Sequence, residues 1–390
     1  MKHPPLISML QQLIATPSVS SVSKQFDQSN RAVVDLLATW LVDAGFEVKI
    51  LPLASQPQKA NLVACLQGDS DSAGNSERNG GLVLSGHTDT VPFDADRWSS
   101  DPFALTRRNG RLYGLGTADM KSFFALAIQA ASQFDKKSLK QPLFIVATAD
   151  EESSMDGAKA IMEMGLPLAR YALIGEPTGL KPIRQHKGVM MEGIRLRGLS
   201  GHSSDPSLGV SALEAMHAVI GDLLEWRRQL QSFNSNPDFA VPVPTMNLGH
   251  IHGGDNPNRI CGQCELHIDM RPLPGMELEE LRHVLNHRLS RLFDKSRISW
   301  EMFSLCDGTP PMQTPAQSQI VTAAQELTGV DAGAVAFCTE GPYFNAMGLE
   351  TVIMGPGHID QAHQPDEFIS EDTLEPTVDL LKGLIGKLCN

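Results

Sequence analysis

Short apolar runs alternate with stretches of helical periodicity toward both ends of the chain. Leu62 to Leu66, Leu82 to Leu84, Leu143 to Ala147, Ala172 to Ile174 and Thr351 to Met354 are each bounded by Gly, Pro or polar residues, which predicts buried strands. Arg31 to Ala44 and Lys121 to Phe134 carry the apolar spacing of helices. Such alternation predicts an α/β layer structure with helices packed on a mostly parallel sheet. The middle of the chain follows another pattern. Val189 to Arg197 is strand-like, Val210 to Gln231 helical, Thr245 to Ile251 and Ile260 to Met270 strand-like, Glu277 to Phe293 helical, and Ile298 to Phe303 strand-like. That βαββαβ order is ferredoxin-like. Residues 185–301 are therefore expected to form an inserted domain, with 1–184 and 302–390 making up the other. The polar stretch Gly68 to Gly80 is expected to be a surface loop between strands of one sheet.

With 390 residues, 42% hydrophobic and 20% charged, the composition is that of a globular chain with a large core. A formal charge of -13 repels phosphate backbones and anionic lipid, which argues against nucleic acid and membrane surfaces as partners. The apolar positions Leu6 to Ile14 are interrupted by Gln11 and Gln12, unlike the core of a signal peptide. No run reaches the ~20 apolar residues of a membrane span. The six cysteines are expected to be reduced thiols, and the compartment the cytoplasm.

Chemistry gathers at the ends of the expected strands. His87-Thr88-Asp89 follows one of them, where α/β sheets build ligand sites. An imidazole there can bind a metal while the carboxylate two residues on holds its other nitrogen; a hydrogen-bonded surface histidine fits the same residues. Asp119 lies where a glycine-rich turn meets a helix, as a ligand or as a helix cap. Those glycines do not form GxGxxG, so no dinucleotide site is expected. Asp150-Glu151-Glu152 stacks three acids past another strand, needing cations if buried and forming a solvated loop if exposed. Adjacent residues on extended backbone point opposite ways, so one carboxylate can ligate a metal while its neighbour moves a proton. Glu176 closes a further strand and His363 lies beyond the last.

Recurrence of His, Asp and Glu at four strand ends favours convergence over four unrelated loop residues. Asp119, Glu152 and Glu176, with a bridging hydroxide, balance two divalent cations. Mixed imidazole and carboxylate donors suit zinc, with cobalt or manganese as substitutes. Cys261 and Cys264 have zinc-like spacing without a second pair, and His250 and His252 share a strand face without an evident acidic partner; packing is expected of both pairs. No GxSxG elbow follows a strand, which weighs against a serine hydrolase.

The motifs SGHTDTVPFD, LYGLGTADMK, ATADEESSM, IGEPTGL, SGHSSDP, GHIHGGDNPNRI, DMRPLPGM and GPGHIDQAHQPDE extend over nearly the whole chain. Through them the sequence resembles the dinuclear zinc family that includes deacetylases, desuccinylases, aminoacylases and carboxypeptidase G. The resemblance implies a zinc-exopeptidase-like catalytic domain with an inserted lid and dimerisation domain, and hence a homodimer. It implies that His87 and Glu176 end one metal's ligand set, that Glu152 and His363 end the other's, and that Asp119 bridges them, followed by a cis peptide. Asp89 would orient His87, and Glu151 would be the general base for a metal-bridged hydroxide. His202 would reach into the partner subunit to polarise the scissile carbonyl, Asn258 and Arg271 would grip the substrate carboxylate, and Glu340 would meet a substrate ammonium. The implied reaction is hydrolysis of N2-acetyl-L-ornithine to L-ornithine and acetate, a step toward arginine. Other N-acyl amino acids such as N-succinyl-diaminopimelate are alternatives within that chemistry. An inactive metal-binding dimer scaffold is the alternative outside it.

Overall fold

The computed structural model of the chain describes residues 3–67, 80–167 and 169–390. The loop expected over Gly68 to Gly80 therefore falls, except for Gly80, outside the described residues. In chain order the first stretch holds α1 (Leu6–Ile14), α2 (Arg31–Asp43), β1 (Glu47–Pro52), β2 (Ala60–Leu66), β3 (Leu82–His87), β4 (Thr106–Arg108) and β5 (Arg111–Tyr113). It continues through α3 (Ser122–Ala131), β6 (Leu143–Thr148), α4 (Asp156–Met164), β7 (Tyr171–Pro177) and β8 (Ile183–His186). The middle holds β9 (Met190–Arg197), α5 (Ala212–Phe233), β10 (Thr245–Gly253), β11 (Gln263–Arg271), α6 (Leu278–Leu292) and β12 (Ser299–Ser304). The last stretch holds β13 (Met312–Gln313), α7 (Gln319–Thr328), β14 (Gly333–Val335), α8 (Gly341–Ala346), β15 (Glu350–Gly355), β16 (Phe368–Ser370) and α9 (Leu374–Cys389). Two compact units result: residues up to Arg184 with Gln313–Gly333 and Thr339–Asn390, and Gln185–Met312 with Ala334–Cys338.

The first unit is built on a mixed sheet in the order β1-β2-β6-β3-β7-β15-β8-β13. Its centre is parallel: β3 pairs with β6 and β7, and β7 with β15. The strand at Leu62 to Leu66 departs from that direction, since β2 is antiparallel to β1 and to β6. The short connection from β1 reverses the chain, which forces an antiparallel pairing. Every residue of β3 and of β7 is buried, as expected of strands covered on both faces. Helix α3 is buried over Phe123 to Ile128 without a polar face, and α9 packs against it and β3.

The second unit folds as β9-α5-β10-β11-α6-β12, with an antiparallel sheet in the order β10-β11-β9-β12. Alternate residues of β11, among them Leu266, Ile268 and Met270, join Met216, Leu223, Leu281 and Leu285 of the two helices in one core. Ser211 starts α5 by accepting a hydrogen bond from the Glu214 amide at 3.2 Å, half of a capping box.

Candidate metal centre

Parallel pairing delivers the first donors to one level. His87 ends β3 opposite Thr148 of β6, and Ser85 lies opposite Ile174 of β7. Two residues past that last pair on each strand stand His87 and Glu176, so the register sets them side by side. His87 Nε2 lies 3.0 Å from Asp119 Oδ1 and 3.9 Å from Glu176 Oε1. Asp119 comes from the turn between β5 and α3, and its peptide bond to Met120 is cis. Its other oxygen, Oδ2, is 3.5 Å from His363 Nε2, which itself stands 3.0 and 3.2 Å from the two Glu152 oxygens. A chain of contacts thus runs Glu176, His87, Asp119, His363, Glu152, with one Asp119 oxygen turned to each histidine.

Donor atoms of His87, Asp119 and Glu152, and separately of His87, Glu151 and Glu176, lie within 4.8 Å of one another. His87, Asp119 and Glu176 are buried. Burial pushes the Glu151 and Glu176 carboxyls well above the usual carboxylate range, and their acidic neighbours push further. Burial presses Asp119 the same way, but the hydrogen bond and charge of His87 outweigh it and hold Asp119 low. The Glu152 hydrogen bond and charge raise His363 to about 9 against its partial burial. Four carboxylates gathered around two imidazoles form a donor set that suits divalent cations and is costly to leave unbalanced.

The neighbouring loops hold these side chains in place. His87 Nδ1 donates to the main-chain oxygen of Asp89 at 3.0 Å, while the Asp89 carboxylate is 3.8 Å away. That carboxylate accepts instead from the Glu152 amide at 3.1 Å, and burial raises it to about 7. Asp150 turns out of the cluster: at φ 57° it swings its carboxylate to Lys59 at 2.6 Å and Ser20 at 2.8 Å. Lys59 is 2% exposed and also binds Asp27 at 2.6 Å, so the cation required by the first acid of that loop is a side chain. Gly157 closes the loop, where a Cβ would lie 2.4 Å from the Ala149 oxygen. His363 itself has φ 59°, a left-handed conformation uncommon outside glycine and typical of functional sites.

A profile of peptidase family M20/M25/M40 matches residues 83–387. The chain belongs to peptidase family M20/M25/M40. It is 46% identical over 390 residues to the acetylornithine deacetylase of Pasteurella multocida (strain Pm70), covering 100% of this chain and 99% of that one. Among solved structures, an aminopeptidase from Bacillus cereus ATCC 10987 matches with a TM-score of 0.77 at 18% identity, over 98% of this chain and 97% of the other. A dinuclear metal-binding M20 peptidase from Bacillus subtilis matches with a TM-score of 0.66 at 16% identity, over 98% and 97%.

The second unit of this M20/M25/M40 chain carries three more of the expected residues. His202 and Asn258 are exposed neighbours: His202 pairs with Arg259 in an isolated bridge, and the Ser203 amide donates to the Asn258 oxygen at 3.0 Å. Ser204 fixes the His202 ring through a 2.7 Å contact to Nδ1. Arg271 ends β11, its Nε held by Asp269 at 2.9 Å. Of the two pairs expected to pack, Cys264 lies in the core. His250 and His252 are exposed instead, with an acid close by. His252 lies opposite Glu265, and His250 stacks on His267, which contacts Glu265 at 2.8 Å. A bulge between Leu248 and His250 brings about this register.

Back in the first unit, Glu340 is 1% exposed, its oxygens accepting from the hydroxyls of Ser85 and of Thr148, the latter at 2.7 Å. Two residues near the cluster carried no sequence signal beyond lying in or beside a motif. Glu367 is 1% exposed and accepts from the amides of Gly116, Ala118 and Asp119 at 3.0, 2.7 and 3.0 Å. Lys121 is fully buried, donates to the Thr16 oxygen at 3.0 Å, and is lowered by burial to about 8.

Proposed function

We propose that the chain is a metal-dependent amidohydrolase that cleaves N2-acetyl-L-ornithine to L-ornithine and acetate, a step toward arginine. The observation that carries the reaction class is Asp119, a buried carboxylate with one oxygen turned to each of two histidines inside an acid-rich cluster. Full-length relatives at 45–46% identity that are named acetylornithine deacetylase support the substrate.

In this reading His87 and Glu176 hold one cation, Glu152 and His363 the other, and Asp119 both. Zinc suits the mixed donors, and cobalt can replace it. When bound, the pair supplies Lewis acidity, lowering the pKa of a water from ~15.7 toward about 7 and polarising the scissile carbonyl. Glu151 takes the proton of the attacking water and passes it to the amide nitrogen, so the water oxygen leaves in acetate and the nitrogen leaves as ornithine's amine. Asp89 keeps the His87 ring in the tautomer that frees Nε2.

His202 donates to the carbonyl oxygen, and Asn258 and Arg271 bind the substrate carboxylate, for which an arginine fork is well shaped. His202 and Asn258 lie past the Gln263 end of β11, while Arg271 is its last residue. Eight steps of about 3.4 Å put those ends about 27 Å apart. The three can serve one substrate only when two copies contribute, which supports a homodimer formed through the second unit, acting as lid and dimerisation domain. Glu340 is assigned a supporting part in place of the substrate ammonium, because its oxygens are already held by hydroxyls. Cys65, Cys261, Cys264, Cys306 and Cys389 are thiols outside any disulfide, which supports a cytoplasmic setting, and no helix among the described residues is long and apolar enough to cross a membrane.

The test is kcat/KM over N2-acetyl-L-ornithine, N-succinyl-diaminopimelate, other N-acyl amino acids and dipeptides, with acetate release followed directly. The acetylated ornithine is expected to lead the panel. A higher value for a succinylated substrate or a dipeptide would reassign the substrate, and no hydrolysis of any compound would leave a metal-binding scaffold.

A further inference from the structure

We propose that Glu367 is a positioning residue that sets the affinity of the metal pair by fixing the bridging carboxylate, an inference that rests on the metal-centre reading above. Glu367 lies four residues past His363, on the segment that supplies one ligand, yet its side chain is spent on the turn that supplies another. Its Oε1 accepts from the amides of Ala118 and Asp119 at 2.7 and 3.0 Å, and its Oε2 from the amide of Gly116 at 3.0 Å. Its main-chain oxygen accepts from the Gly114 amide at 3.0 Å. Four bonds from one residue therefore hold Gly114 to Asp119, the segment that decides where the bridging carboxylate stands.

Both ends of this clamp are anchored. Asp366, beside it, accepts from the amide and hydroxyl of Ser99 at 2.8 and 2.9 Å. On the other side Lys121 packs under Gly116, where a Cβ would lie 2.7 Å from its Cε, and ties the start of α3 to Thr16. No metal donor touches Glu367 except through the Asp119 amide, so it acts through Asp119 and not on substrate. A rigid Asp119 keeps one oxygen toward each histidine; a loose one lets a carboxylate turn toward a single site. Outer partners of metal ligands typically govern affinity by about 10–100-fold.

The experiment is metal competition against a chromophoric chelator, using zinc with the full-length wild type and Glu367→Gln, alongside circular dichroism and melting of the metal-free proteins. In Gln the amide nitrogen faces an amide donor, so one clamp bond becomes a repulsion while size is kept. The wild type is expected to bind two zinc ions, and the variant to bind them about 10–100-fold more weakly while its metal-free form stays folded, kcat returning as zinc is raised. Wild-type affinity in a folded Glu367→Gln overturns the proposal. Should that variant fail to fold, Glu367→Asp, which keeps the charge and shortens the reach, is titrated in the same way; if it also fails to fold, the residue is structural and the proposal is wrong. If the wild type itself binds no zinc, the metal-centre reading fails first, a result distinct from either of these.

Discussion

Glu151 and Glu152 are adjacent, but their surroundings differ. Glu152 faces His363 at 3.0 Å, whereas Glu151 shares a buried cluster with His87 and Glu176, where burial raises its carboxyl well above the ordinary range. A carboxyl raised in this way holds a proton more readily than an ordinary carboxylate, which suits a group that takes one from water. Replacing Glu151 with Gln keeps its shape and removes the base, so the variant is expected to retain two metals per chain while kcat falls by about 10²–10⁴-fold. Metal analysis and initial rates on one sample check this, and loss of metal together with rate would make Glu151 a ligand. In the sequence both acids read as extended backbone, where neighbours point apart; they lie instead in a turn opened by Asp150 at φ 57°, so the turn and not a pleat sets their surroundings. The fate of Asp150 was not legible either, since its cation, Lys59, lies 91 residues away and no local spacing links them. Glu367 was hidden likewise, 249 residues from the Ala118 amide it binds.

Elements bring these residues together, and most of the elements could be read from apolar runs. The expected strands from Leu62, Leu82, Leu143, Ala172 and Thr351 are β2, β3, β6, β7 and β15, each extended by one to four residues. Those extensions matter, because β3 runs on to His87 itself and β7 through Glu176. Polar residues ending a buried strand break the apolar pattern, so a hydropathy reading stops just short of the site. The Asp150–Gly157 loop depends on a contact between elements, with Lys59 arriving just ahead of β2 to neutralise Asp150 and Asp27. Lys59→Met removes the shared cation and leaves a buried carboxylate unpaired, which costs about 3–5 kcal/mol. Urea unfolding of the metal-free protein is expected to show that loss. A change below about 1 kcal/mol, the size of an exposed pair, would mean that water reaches the cluster.

At the scale of the whole molecule, the order of elements in the middle of the chain foretold the ferredoxin-like pattern, while the placement of its polar residues was beyond reach. Sequence spacing cannot say that Asn258 lies beside His202 and Arg271 at the far end of β11; the ladder from Gly262 to Gly198 and from Ile260 to Gly201 decides it. Separation along one strand is what turns three expected residues into a statement about two copies. His202→Ala and Glu151→Gln proteins, each inactive alone, are expected to regain up to about a quarter of wild-type activity after subunit exchange, because half of the dimers then contain one intact site of two. No recovery, with exchange verified by a mass-tagged subunit, would place His202 in its own chain's site.

The expectations about catalysis depend on two cations lying among five side chains. Crystals grown with zinc, measured on both sides of the zinc absorption edge, should show two anomalous peaks per chain, one beside His87 and Glu176, the other beside Glu152 and His363, with the Asp119 carboxylate between them. A single peak, or peaks away from these residues, would contradict the metal centre and the hydrolysis built on it.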